Sequence, residues 1–340
     1  MKGQPLPSQP TPLTPRRSPA SFLALIADKL EATEAVFREA LAADVPRIRE
    51  AGTYLAEGGG KRVRPALVLL ASRLLGRDGE EEVTYAAVVE LIHTATLIHD
   101  DVIDHADLRR GQATLNQIWG NHPTVLLGDW IYTLAMQKAL SHQRVEVLQK
   151  LVDATLRMTE GELLALHRLG AIDLTTDEYF EIIDRKTARL FAAACAVPAL
   201  IPPLRPEAGE ALERYGAHLG VCFQLVDDLL DFDGREEELG KPVLSDLKEG
   251  KLTLPLILLL PRIAPADRQL IAQVLEDRAF ERVAAQQILE LVEREGTLDE
   301  TRQIARDYSA RAKAELEFFR PCEAREALEL APDFVLDRRS

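Results

Sequence analysis

The chain of 340 residues is 46% hydrophobic and 28% charged, which places it among soluble globular proteins and gives it enough length for one large core. A formal net charge of −14 excludes a general nucleic-acid-binding surface, and any polyanionic ligand has to be met by local cations. Three scattered cysteines, Cys195, Cys222 and Cys322, argue against a disulfide framework or a zinc site and point to a reducing cytoplasm. No apolar run approaches the roughly 20 residues that cross a bilayer.

Ala, Leu, Glu and Arg dominate long periodic stretches, with Gly and Pro mostly between them, a pattern that favours an all-α fold. Residues 1–19 are rich in proline, lack an apolar signal core and read as a disordered leader. Residues 20–340 read as one helical domain, since no repeat or Gly/Ser linker divides them. Ser21 can cap a first helix running toward Ala43. Gly58-Gly59-Gly60 breaks the chain, and 61–75 resumes as a helix that Gly76 stops. A long apolar run from Glu81 leads into Asp100-Asp101 and must end before the loop 107–112. Helices follow over 124–140, 145–169 and 176–197, the last with Thr176 as its cap and Pro198 at its end. After a turn at 202–207, a helix reaches Asp231 with a break expected near Gly220. A charged loop, 234–250, then precedes several shorter helices from 252 to about 330. In a bundle of this kind the active site is lined by side chains from facing helices.

The strongest chemical signal is a repeated motif, Asp100-Asp101-Val-Ile-Asp104 and Asp227-Asp228-Leu-Leu-Asp231, each ending an apolar helix. Residues i and i+4 share a helix face, so Asp100 pairs with Asp104 and Asp227 with Asp231. Like charges in such surroundings are costly unless a cation compensates them. Mg²⁺ suits the pattern, because it takes one or two carboxylates and leaves its other sites to water and substrate phosphates. Cations stand at the flanks: Lys61 and Arg64 after the glycine break, Arg109-Arg110 after the first motif, Lys186-Thr187 in mid-helix, and Lys241 and Lys251 after the second motif. Glu90-x-x-His93 fits half of a di-iron carboxylate site, but no second copy completes it.

Taken together, Gly59-Gly60-Lys61-Arg62-Val63-Arg64-Pro65, Glu90-Leu-Ile-His93, the first aspartate motif with Arg109-Arg110-Gly111, Gly128-Asp129, Lys186-Thr187, Phe223-Gln224 with the second motif, Gly240-Lys241-Pro242 and Gly250-Lys251-Leu-Thr-Leu-Pro255 closely resemble the trans-polyprenyl diphosphate synthases. The resemblance runs from about residue 20 to the C-terminus. It implies an all-α bundle of the isoprenoid synthase type with a central active-site cavity, Mg²⁺ as cofactor, and isopentenyl and allylic prenyl diphosphates as substrates. A homodimer without a transmembrane segment is implied as well, with room for transient membrane contact at product release. Asp100, Asp104 and Asp227 would hold Mg²⁺ against the allylic diphosphate, with Asp101, Asp228 and Asp231 in support. Residues matching Arg109, Lys186, Thr187, Gln224 and Lys241 would hold the same diphosphate, and Lys251 is counted with the substrate-binding set. Lys61, Arg64, His93 and Arg110 match the isopentenyl diphosphate pocket. The family often has glycine shortly after the Gly-Lys-Pro segment, where Val243-Leu244-Ser245 stands here.

By resemblance, an allylic C–O bond breaks to leave a carbocation, the double bond of isopentenyl diphosphate attacks it, and a proton leaves to the released diphosphate rather than to a protein base. In the family a bulky aromatic four or five residues before the first aspartate stops chain growth early. Here those positions are Thr96 and Ala95, both small, and five residues are about 7.5 Å of helix. Ile92, Val89 and Val88 continue the wall, and Trp130, Tyr132 or Met136 could form the floor. The expectation is a long product of octaprenyl size, for quinone side chains, with a geranylgeranyl or farnesyl diphosphate synthase as the alternative. A class I terpene cyclase would not need the isopentenyl pocket, and a silent subunit would have lost aspartates that are intact here.

Overall fold

The computed structural model describes residues 23–57, 60–109, 111–201, 206–233 and 243–337. Expectations for the 1–19 leader, Ser21, Gly58, Gly59, Arg110, most of the 202–207 turn and Gly240-Lys241-Pro242 lie outside the described residues. Helices α1 (Ala27–Leu41), α2 (Pro46–Glu57) and α3 (Val63–Leu74) lead into the long α4 (Glu80–Ile103). An antiparallel hairpin of β1 (Leu108–Arg109) and β2 (Gln112–Ala113) and the short α5 (Leu115–Trp119) turn the chain into α6 (Asn121–Leu140) and α7 (Val145–His167). Then α8 (Thr176–Ile183) passes through a π turn (Asp184–Ala188) into α9 (Arg189–Leu200), and α10 (Pro206–Leu230) follows. The C-terminal part holds α11 (Ser245–Lys248), α12 (Leu254–Leu259), α13 (Pro265–Asp277), α14 (Ala285–Arg294), α15 (Thr297–Glu315) and α16 (Glu323–Leu336).

Helix α4 is largely apolar between Val83 and Ile98, and Tyr85, Val88, Val89, Leu91 and Ile92 are fully buried. A helix of that pattern belongs at the centre, and α4 packs against α1, α3 and α6. Each such aliphatic side chain contributes roughly 1.5–3 kcal/mol by leaving water. Around it α9 packs on α3, α7 and α10, while α15 and α16 cover the outer side of α10.

Small residues set the closest approaches. A Cβ on Gly216 would lie 2.4 Å from the Phe191 carbonyl oxygen, and one on Gly220 would lie 2.6 Å from Ala188 Cα. The helix break expected near Gly220 is therefore absent: α10 is continuous, and its glycines are where the π turn and α9 fit against it.

Other boundaries differ for local reasons. The cap of α8 is Thr175 rather than Thr176: Thr175 Oγ1 accepts from Glu178 N at 3.3 Å and Glu178 Oε2 accepts from Thr175 N at 2.9 Å. Pro198 does not end α9, which continues through it to Leu200, held by the buried run from Leu190 to Ala199. The expected 176–197 helix is divided by the π turn, α3 starts at Val63 after Arg62 takes a left-handed conformation, and α11 interrupts the expected 234–250 loop. Helices α2 and α5 were not expected from the pattern.

Candidate functional site

The first aspartate motif closes α4. His105 takes the left-handed region (φ 51°), Ala106 N donates to the Asp101 carbonyl oxygen at 3.0 Å and His105 N to that of Val102 at 3.4 Å. This is the double bond pattern of a Schellman stop, built without glycine. Thr114 Oγ1 and Asn116 Nδ2 donate to the Ala106 carbonyl oxygen at 2.5 and 3.2 Å, which ties the helix end to the hairpin. The hairpin delivers Arg109, whose Nε donates to Asp101 Oδ1 at 2.7 Å.

Along α4, His93, Thr96 and Asp104 lie within about 40° of Asp100 at 100° per residue, so the four share one partly exposed face. Gly128 of α6 lets the neighbouring helix close in, since a Cβ there would meet His99 Nε2 at 2.3 Å. Asp104 Oδ2 receives Lys251 Nζ at 3.0 Å, and Lys251 also meets Glu249 Oε2 at 2.8 Å. Burial works against the Lys251 ammonium, but Asp104 and Glu249 outweigh it and hold its pKa above the ordinary lysine value. Burial pushes the Asp100 carboxyl up to about 6; Glu162 and Asp104 push the same way, and Lys186 and Arg109 oppose them.

Lys186 and Thr187 belong to the π turn, a geometry concentrated at functional sites. Lys186 pairs with Glu162 of α7. Thr187 Oγ1 donates to Gln224 Oε1 at 2.8 Å, and Gln224 Nε2 donates to Asp228 Oδ1 at 2.8 Å. The other Asp228 oxygen accepts from the Tyr179 hydroxyl. Burial nevertheless pushes Asp228 up to about 7, against both donors and with Asp227 and Asp231 adding to the rise. Asp231 meets the start of α11: its Oδ1 accepts from Ser245 N at 2.9 Å and Ser245 Oγ at 2.6 Å, and its Oδ2 accepts from Asp246 N at 3.1 Å. Leu244, at the segment where the family often carries glycine, is fully buried in the left-handed region with φ 59°. Burial, then Asp231 and Asp228, hold Asp246 well above the usual carboxylate range.

The remaining predicted residues are spread more widely. Lys61 is exposed and His93 half-buried. Arg64 stacks its guanidinium 4.5 Å from the Phe191 ring centroid, and its buried Nε has no hydrogen-bond partner among the described residues. Burial lowers its pKa to about 10, although Glu90 and Asp227 favour the charge. Glu90 is taken up by Arg62, with Nη1 to Oε1 at 2.6 Å, which gives it a partner other than a metal. Of the chain-length residues, Thr96 shares the Asp100 face, whereas Ala95 lies about 140° around α4. Ala95 is 2% exposed and Ile92 is fully buried, both in the packed core. A cavity of about 2370 Å³ lies between α3, α10, α15 and α16, and of the predicted residues that the structure describes only Lys61 lines it.

Glu162, Tyr179 and Asp246 escaped the sequence reading. Glu162 had a signal: it sits on the inward stripe of α7, four residues after Met158 and beside buried Gly161. Tyr179 and Asp246 had none, because only the tertiary fold carries them to the second motif. Among the described residues no group of three or more His, Cys, Asp and Glu side chains is disposed to hold a metal ion. The donors present are hard carboxylate oxygens spread over two helix ends, a set that matches a cation completed by phosphate and water.

Residues 45–292 match the family model described as polyprenyl synthetase. The octaprenyl diphosphate synthase of Escherichia coli (strain K12) is 41% identical over 304 residues, covering 89% of this chain and 94% of the relative. A short chain isoprenyl diphosphate synthase of Methanothermobacter thermautotrophicus is 37% identical over 306 residues, covering 88% of this chain and 94% of that protein. The crystal structure of a polyprenyl synthase from Caulobacter crescentus CB15, complexed with calcium and isoprenyl diphosphate, superposes with a TM-score of 0.89 at 38% identity over 96% of this chain and all of that one (100%).

Proposed function

Since the chain belongs to the polyprenyl synthetase family and is a trans-prenyl diphosphate synthase, we propose that it extends an allylic diphosphate with isopentenyl diphosphate, in a magnesium-dependent reaction, to a product of octaprenyl size. The observation that carries the site assignment is the grouping of carboxylates that are not buried with cations already resting on carboxylates. Asp100 and Asp104 are half-buried and Asp227 is exposed, and Arg109, Lys186 and Lys251 each rest on a carboxylate that a diphosphate can replace. Magnesium held by Asp100, Asp104 and Asp227 would supply positive charge at the departing diphosphate.

Arg109 and Lys186 add fixed positive charge where negative charge develops as the allylic C–O bond breaks. Lys61, Arg64 and His93 hold the isopentenyl diphosphate, with its double bond turned toward the carbocation. The apolar residues of α4 and α6 keep water from that cation. The small side chain of Thr96 on the Asp100 face, together with the similarity to octaprenyl synthases, favours the long product; the similarity to a short chain synthase keeps geranylgeranyl or farnesyl diphosphate as the second reading.

A homodimer is part of the proposal. The exposed apolar residues Leu126 on α6 and Val152, Leu156, Leu163 and Leu166 on α7 form a face suited to a second copy. No described helix is long and apolar enough to cross a membrane.

The test is incubation with Mg²⁺, farnesyl diphosphate and labelled isopentenyl diphosphate, followed by separation of the dephosphorylated products by length. A single long product that disappears with EDTA is expected, and Thr96→Phe should shorten it toward farnesyl or geranylgeranyl size. An unchanged product ladder in that variant overturns the growth path along α4. A wild-type product that stops at geranylgeranyl length, from shorter primers, selects the second reading.

A further inference from the structure

The site places Lys186 on a π turn whose backbone lies against α7. A Cβ on Gly161 would fall 2.6 Å from Lys186 N and 2.8 Å from Arg185 Cβ, so α7 and the π turn meet at a point only glycine permits. The next residue, Glu162, has a side chain 17% exposed and takes the Lys186 ammonium in an ion pair. Lys186 and Glu162 act on the Asp100 carboxyl in opposite directions, the ammonium favouring its charge and the carboxylate opposing it. Among the described residues no other acid is paired with Lys186, while the neighbouring Arg185 is drawn to Glu160 and Glu181.

We propose that Glu162 is a positioning residue for the prenyl-transfer site: it holds the Lys186 ammonium at the π turn, ready for the allylic diphosphate. The inference rests on the reading of Lys186 as a diphosphate-binding residue and deepens it. A lysine has four rotatable bonds and loses its rotamer freedom on being fixed. Without a partner it would spend most of its time in solvent, and the incoming diphosphate would have to order it. The close Gly161 contact fixes the backbone on both sides, so the carboxylate acts from a rigid base. Because one charged partner is being removed from a partly buried pair, the expected effect is about tenfold.

The experiment compares wild type, Glu162→Gln, Glu162→Asp, Lys186→Ala and the Glu162→Gln/Lys186→Ala double variant in steady-state assays with Mg²⁺. Glu162→Gln should raise KM for the allylic diphosphate about tenfold and leave KM for isopentenyl diphosphate unchanged, and Glu162→Asp should recover part of the loss. In the double variant the Glu162 change should add nothing to the loss already caused by Lys186→Ala. Equal effects on both substrates, or losses that multiply in the double variant, overturn the positioning role. If Glu162→Gln fails to fold, as judged by circular dichroism and thermal melting, Glu162→Asp alone carries the test, and wild-type kinetics in that folded variant at every substrate overturn it. Wild-type KM values in Lys186→Ala would instead count against the role assigned to Lys186, and a wild type that condenses no primer would count against the proposed reaction.

Discussion

The two aspartate motifs share a sequence pattern and have little else in common. At the end of α4, Asp100 and Asp104 share a half-exposed face and only Asp101 is turned inward, onto Arg109. At the end of α10, Asp227 alone is exposed; Asp228 is 3% exposed between Tyr179 and Gln224, and Asp231 is occupied by the start of α11. One motif thus leaves two carboxylates on a half-exposed face and the other leaves one exposed. The spent carboxylates of the second motif hold the walls together instead: Asp228 joins α8 to α10, and Asp231 anchors the short helix that follows.

The sharpest way to break this comparison is to neutralise each aspartate in turn. Asp100→Asn and Asp227→Asn should each lower kcat/KM about a thousandfold, the scale of losing a main electrostatic element of a transition state, with little change in melting temperature. Asp228→Asn should do the reverse: a milder kinetic loss together with a changed thermal midpoint. Equal kinetic losses across all three would show that the buried carboxylates also reach the substrate.

A smaller effect should follow from Tyr179→Phe. It leaves one oxygen of a buried carboxylate without its donor, which costs about 1–3 kcal/mol in denaturant unfolding of the metal-free protein. A free energy of unfolding unchanged from wild type would mean that the Asp228 contact to α8 does not support the fold.

Much of the architecture was legible from pattern alone. The apolar periodicity of α4, α6, α7 and α10 gave their extents to within a few residues, because burial and helix period coincide there. The failures have physical causes. Gly220 was read as a break because glycine is a poor helix former, whereas its missing side chain is what admits Ala188. Thr176 was preferred over Thr175 because the reading placed the cap without the reciprocal glutamate, Glu178, that decides between them. Helices α2 and α5 are short and lie beside breaks, where the signal is weakest. At the two helix ends, the carboxylates themselves were readable from the repeated motif. The asymmetry between the two copies was not, since it is imposed by Tyr179, Ser245 and Arg109, which arrive from other elements.

The smallest expected effect sits at the anchor of the short helix. Ser245→Ala removes one of the two bonds to Asp231 Oδ1 and leaves the backbone donor in place, so a loss of about 1 kcal/mol or less is expected by thermal melting. A large kinetic defect in this variant would mean that Asp231 serves the reaction directly, and the contrast between the motifs would narrow.

The π turn constrains insertions and deletions in a way that residue identities do not reveal. Such a turn carries one residue more than the α-helix it interrupts. Deleting any single residue between Asp184 and Ala188 would leave a sequence able to form an uninterrupted helix, locally more regular than the original. It would also rotate everything on one side by about 100° relative to the other, parting Lys186 from Glu162 or Thr187 from Gln224. The length of this stretch is therefore as fixed as its chemistry, and a gap there in a related chain would mark a protein in which these two contacts have been rebuilt.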